Sequence, residues 1–132
     1  DIFIGWLDTV GRIGFNVKND TAFKSSTAVS DGNWHHVAFT RDMTSGVTQI
    51  YVDGVLEGTR TQPTGLVGNS FDGIGRISNT SATLPIYFAG KLDEYKIFAS
   101  VLSASSIATG GLFTPVTPMF TIAWKAIKVA TP

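Results

Sequence analysis

The sequence predicts an all-β chain, and three observations carry that prediction. Strand-forming Val, Ile, Thr, Tyr, Phe and Trp recur in short runs, whereas glutamate occurs only at Glu57 and Glu94 and the helix formers make no continuous run. Turn signals separate these runs roughly every ten residues, the spacing of a sandwich or barrel. Asp53-Gly54 joins two of the runs, a strong two-residue hairpin signal.

The elements follow in order. Ile2–Trp6 is a first strand. Gly11–Lys18 alternates, with Ile13, Phe15 and Val17 on one face, and Asn19-Asp20 turns the chain. Ala22–Ala28 is a weaker run. Asp31-Gly32-Asn33 makes a turn into the strong strand Trp34–Arg41, and Val47–Val52 pairs through Asp53-Gly54 with Val55–Thr59. Gln62–Ser70, with Pro63, Gly65 and Gly68, reads as loop, and Asp72–Ser78 is short and glycine-rich. Ile86–Ala99 is long enough for two strand segments, or for one bent near Gly90. Ser103–Thr109 is about two turns of helix at most, with Ser103 as N-cap and Gly110-Gly111 as a stop. Pro115 and Pro118 break the chain before Met119–Val129, which reads as a closing strand, although its Ala and Lys content also allows a helix.

Composition narrows the function classes. The 132 residues suggest a single domain, 1–132. Apolar residues make up 43% and charged residues 15%, the latter well below the ~25% of an average soluble protein. Ten Lys+Arg balance ten Asp+Glu, so there is no electrostatic reason to expect nucleic acid or an anionic membrane as partner. With no cysteine, disulfide scaffolds, thiolate zinc sites and cysteine nucleophiles are excluded. No apolar run approaches the ~18 residues of a membrane span. No secretory leader opens the chain, and its start at Asp1 reads as a trimmed or excised piece.

Two ordered strings are more specific. DGNWHHVAFTRD, a short turn, then QIYVDGVLEG (Asp31–Gly58) resembles the laminin-G-like branch of the concanavalin A-like lectin/glucanase superfamily, which shows a "W-H-H-V-A" strand and a "Y-V-D-G" hairpin. Phe88–Phe98, followed by Val101-Leu102-Ser103 and Ile107-Ala108, resembles that family's "F-x-G-x-I-D-E-V-R-I-Y" strand and "L-S-x-x-E-I" helical turn, with Ser106 where the family often has Glu. Phe71–Asn79 resembles the "I-G" strand between them. The match runs from about Gly11 to Ala108 and implies a two-sheet antiparallel jelly-roll sandwich with one short helix after the long C-terminal strand. Family members usually open with a strand like "F-T-I-S-A-W-V-K". Here Phe120–Lys125 resembles it instead, so 119–129 is expected to close the sandwich as a terminal or permuted strand, within the chain or by exchange between copies.

The chemistry is weighed against that fold. A glycosidase needs two carboxyls facing each other across the scissile bond. Asp93 and Glu94 are consecutive on a strand and point to opposite faces, and Glu57 is the other Glu. No hydrolase is expected. Adjacent strand residues His35 and His36 cannot chelate one ion together and read as packing with a buried hydrogen bond. The resemblance allows calcium, with Asp93 as one ligand. Sugar binding needs an exposed aromatic platform with polar neighbours. Trp34 and Tyr95 are expected in the core. Tyr51 shares a face with Gln49 and, with Glu94 and Lys96, is the first candidate for an open platform. A rim built from Trp6, Tyr87 and Asn79 is the second. Asn19-Asp20-Thr21 and Asn79-Thr80-Ser81 match the glycosylation sequon. The expected function is a non-catalytic recognition module of a secreted, surface or virion protein, binding carbohydrate or glycoprotein. The rival is a structural or protein-binding jelly roll without a sugar ligand.

Overall fold

The computed structural model describes residues 2–18, 20, 22–67, 74–77, 86–109 and 120–129. Among them run β1 (Ile2–Leu7), β2 (Arg12–Val17), β3 (Phe23–Ala28), β4 (Trp34–Arg41), β5 (Val47–Val52), β6 (Val55–Thr61), β7 (Arg76–Ile77), β8 (Ile86–Tyr87), β9 (Gly90–Phe98), α1 (Ala104–Ala108) and β10 (Phe120–Val129). The run from Ile86 is two segments, interrupted just before Gly90. Residues 119–129 resolve to strand over Phe120–Val129. The 68–73 and 78–85 stretches and the Gly110-Gly111 stop lie outside the described residues.

All pairing among the described residues is antiparallel. One sheet has the order β1-β2-β3, the second β6-β5-β4-β10-β9, and β7 and β8 form a small ribbon. Alternation places Ile13, Phe15 and Val17 of β2 against Val37 and Phe39 of β4 and Ile50 and Val52 of β5, all buried in one core. Phe15 meets Phe39 edge-on, with ring centroids 5.6 Å apart. Each fully buried side chain of this size contributes roughly 1.5–3 kcal/mol. The opposite face of β4 and β5 is buried as well, because α1 lays Ile107 over Ala38 and Tyr51, with Phe98 and Leu102 alongside. Ser103 caps this helix, accepting from the Ser106 amide at 3.1 Å.

A paired irregularity closes one side of the sandwich. In β6 the register with β5 shifts between Gly58 and Leu56, leaving Glu57 as the extra residue. A bulge re-aims its side chain. Glu57 reaches β3 of the other sheet, where its carboxylate accepts the Ser26 and Thr27 amides, each at 2.9 Å, and the Thr27 hydroxyl. The β2–β3 register also shifts here, and Ser25 Oγ takes over by accepting from the Ile13 amide at 3.0 Å. Glu57 is therefore a strut between the sheets. At the end of β4, buried Arg41 donates from Nη2 to the Pro63 and Gly65 carbonyls at 2.7 and 2.9 Å, tying the loop after β6 to the sheet.

Candidate recognition surfaces

The open platform expected around Tyr51 is not assembled. Tyr51 does share the outer sheet face with Gln49, but α1 covers it and it is only 3% exposed. Burial pushes its phenol pKa up. Its hydroxyl donates to Gln49 Oε1 at 3.0 Å, and Thr40 donates to the same oxygen at 3.3 Å, so Gln49 serves the packing under the helix. Glu94 and Lys96 lie on β9, three strand steps from β5, which is about 14 Å at normal strand spacing. They are exposed and approach each other, Lys96 Nζ to Glu94 Oε2, at 3.8 Å. The four residues do not form one site.

Strict alternation also fails on β9. Glu94 adopts a φ of 48°, the left-handed region, and Leu92, Tyr95 and Phe98 are the partly buried positions. Tyr95 packs against the main core as expected, while its parity mate Ile97 is 44% exposed. Asp93 is exposed, and its Oδ1 accepts the Glu94 amide at 2.8 Å. Among the described residues no three His, Cys, Asp or Glu side chains converge on a point where they could hold a metal ion. The two glutamates stand on β6 and β9, the opposite edges of the five-stranded sheet, about 19 Å apart by strand spacing and far beyond the separation of a glycosidase pair.

Of the rim candidates, Tyr87 is 69% exposed on β8, paired to Arg76. For Trp6 the backbone is described, paired to Gly14, and its side chain lies outside the described residues, as does Asn79. An aromatic expected in the core stands outside it: Trp34 is 47% exposed. The reason is its place in the sheet. β5 pairs with β4 only as far as Val37↔Val52, so Trp34 runs past the end of β5 and, among the described residues, is backbone-paired to Lys128 of β10 on one side only.

Beside Trp34 is a polar cluster that the sequence pattern did not assemble. His35 Nδ1 lies 2.8 Å from Asp53 Oδ2, and Nε2 lies 3.0 Å from Asp31 Oδ1. Asp53 Oδ1 also accepts the His36 amide at 2.8 Å, and Asp31 accepts the Asn33 amide and side-chain amide. The imidazole thus clasps the turn before β4 to the β5–β6 hairpin. Partial burial by itself favours neutral His35, but hydrogen bonds to Asp53 and Asp31, together with their charges, outweigh it and raise its pKa. The Asn33 amides and His35 hold Asp31 down to about 2. His36, by contrast, is lowered, chiefly by desolvation.

These directions fix a pH dependence. A raised His35 pKa adds stability that is complete below the unfolded value of about 6.5 and is lost as pH rises through the folded value. The depressed Asp31 pKa adds stability that is complete above about 4 and is lost as pH falls towards about 2. The melting temperature should therefore fall by a few degrees on the alkaline side, and Asp31→Asn should flatten that limb. A slope unchanged in His35→Gln would remove His35 as its cause.

Comparison with known proteins agrees with this architecture. No curated protein matches the chain. Among solved structures, an S-layer domain-containing protein (residues 221–444) from Clostridium thermocellum ATCC 27405 is similar, with a TM-score of 0.56 and 22% identity over 76% of this chain and 51% of that one. The chain spans about half of that structure, and the likeness is one of fold. The family model for laminin G domains, described as the concanavalin A-like lectin/glucanases superfamily, matches residues 1–108. That span starts earlier than the motif strings alone do and ends at the last residue of α1. The chain therefore belongs to the laminin G family of the concanavalin A-like lectin/glucanases superfamily.

Proposed function

We propose that the chain is a non-catalytic recognition module of a secreted, cell-surface or virion protein, and that it binds carbohydrate. Its family supports the class. The distance between Glu57 and Glu94, with Glu57 already committed as a strut, argues against a hydrolytic pair. The similar solved structure carries an S-layer domain in its name, which supports a surface setting.

The observation that carries the sugar reading is the exposed Trp34 indole beside the clasped Asp31–Asn33 turn. A pyranose face stacks on such a ring, and its hydroxyls need donors and acceptors held at fixed positions. The Asp31 side chain is 45% exposed in that turn. Tyr87 is a second, separate aromatic contact at the rim. Calcium, if bound, draws on Asp93 and on oxygens beyond the His, Asp and Glu side chains near it.

A glycan array with and without calcium tests the reading. Trp34→Ala should weaken binding about tenfold, equivalent to ~1.4 kcal/mol, with the melting temperature nearly unchanged. Tyr87→Ala should weaken it less. An array silent for the unmodified protein in both conditions favours the rival, a structural or protein-binding jelly roll. The burial of Tyr51 under α1 already favours that rival for the centre of the sheet face.

A further inference from the structure

We propose that β10 is a transferable strand, and that the place between β4 and β9 accepts β10 from a second copy of this chain. Three observations carry this. First, β10 lies beyond residues 1–108, the span of the family match, yet it occupies an interior place in the five-stranded sheet. It pairs with β4 from Phe120↔Arg41 to Lys128↔Trp34 and with β9 from Thr121↔Phe98 to Val129↔Gly90. Among the described residues, β9 joins the other strands of this sheet through β10. Without β10, both β4 and β9 present open edges, which are templates for another strand.

Second, the place is specific for this strand. Pairing with β9 runs without a register shift, whereas pairing with β4 shifts between Trp124 and Ile127. An incoming strand must carry the extra residue at the same point, because a slip of one residue turns every side chain to the wrong face. The β10 of another copy meets that condition by identity.

Third, residues 110–119 separate Thr109, at the end of α1, from Phe120. Ten residues span ~35 Å at most when extended, which limits how far from its own α1 the strand can pair. The chain's own β10 prevails in dilute solution, and a neighbour's competes where copies are crowded or refold together. The same strand pairs form in either arrangement, as in domain swapping generally.

The absence of cysteine makes the test clean. Ala123 is the Cα partner of Lys96. Lys96→Cys and Ala123→Cys are made as separate variants, mixed unfolded, refolded together at about 1 mM protein and oxidised. The expected result is a disulfide-linked heterodimer whose yield rises with concentration and exceeds that of Lys96→Cys mixed with Thr44→Cys, a turn position remote from β10. The double variant refolded in dilute solution should instead close within one chain. A heterodimer yield no higher than the Thr44→Cys control would overturn the proposal, and so would a double variant that does not close. If either substitution blocks folding, the unmodified chain gives a second reading by light scattering. Refolding at about 1 mM should yield dimer that persists on dilution, and a purely monomeric product overturns the proposal as well.

Discussion

Deleting residues 118–132 is expected to yield an insoluble or molten chain. β10 carries backbone pairing to both neighbours along most of its length. Its removal leaves the donors and acceptors of β4 and β9 without partners at the centre of a sheet whose inner face bears Val37 and Phe39. Two long open edges beside an apolar face are templates for further strands and favour aggregation. The remaining strands still contain the alternating apolar residues, so collapse without fixed packing is the expected state. Loss of near-UV dichroism with retained far-UV signal, dye binding and poor solubility would report it. A truncated chain that stays soluble with the same denaturation midpoint would falsify this account of the C-terminal strand and the need for β10 in the sheet.

Gly54→Val is expected to destabilise the β5–β6 hairpin by two separate costs. Asp53 has a φ of 50° and Gly54 a φ of 80°, the two positive values of a type I′ hairpin. A side chain forced into that backbone costs about 1–3 kcal/mol. The structure adds a second cost. A Cβ at Gly54 meets Ala108 Cα at 3.0 Å and Ala108 Cβ at 3.3 Å, so it pushes against the end of α1, the helix that covers Tyr51. Overpacking of this kind costs a further ~1–3 kcal/mol. The sum, about 2–6 kcal/mol, should be read as a lower urea midpoint. Gly65, also at positive φ but with nothing within 4 Å of a Cβ, separates the two terms. Gly65→Ala reports strain alone, and Gly54→Ala should cost more. Equal losses would mean that α1 yields freely.

The turns are legible in the sequence because their physics is local. Asp53-Gly54 specifies its own backbone, Ser103 caps its helix by accepting from the amide three residues ahead, and Ile13, Phe15 and Val17 alternate without help from the rest of the chain. The family strings are legible for the same reason, since each is one strand and its turn. Reading strands singly misplaces two residues. It gives Tyr51 an open face, because a strand records parity and not what covers it, and the cover comes from Ile107, far along the chain. It puts Trp34 in the core because Trp34 opens a buried strand, but burial there requires β5 alongside, and β5 stops at Val52.

The same division holds for the polar groups. The Asp31–His35 spacing and the Asp53 turn are each visible, but nothing in the order of residues says that both carboxylates meet one imidazole. Along the chain, Glu57 is only a residue near a hairpin. Its function as a strut depends on a bulge in β6 facing a bulge in β3, two irregularities in different sheets. By itself, then, the sequence determined which residues form strands, where the chain turns, which face of β2 is apolar and to which family the pattern belongs, because all of these follow from neighbours along the chain. The tertiary structure alone decided that α1 closes the Tyr51 face, that Trp34 stands in the open, and that β10 enters between β4 and β9. Those outcomes depend on which distant segments compete for the same edge or face, and packing settles that competition only when the whole chain is assembled.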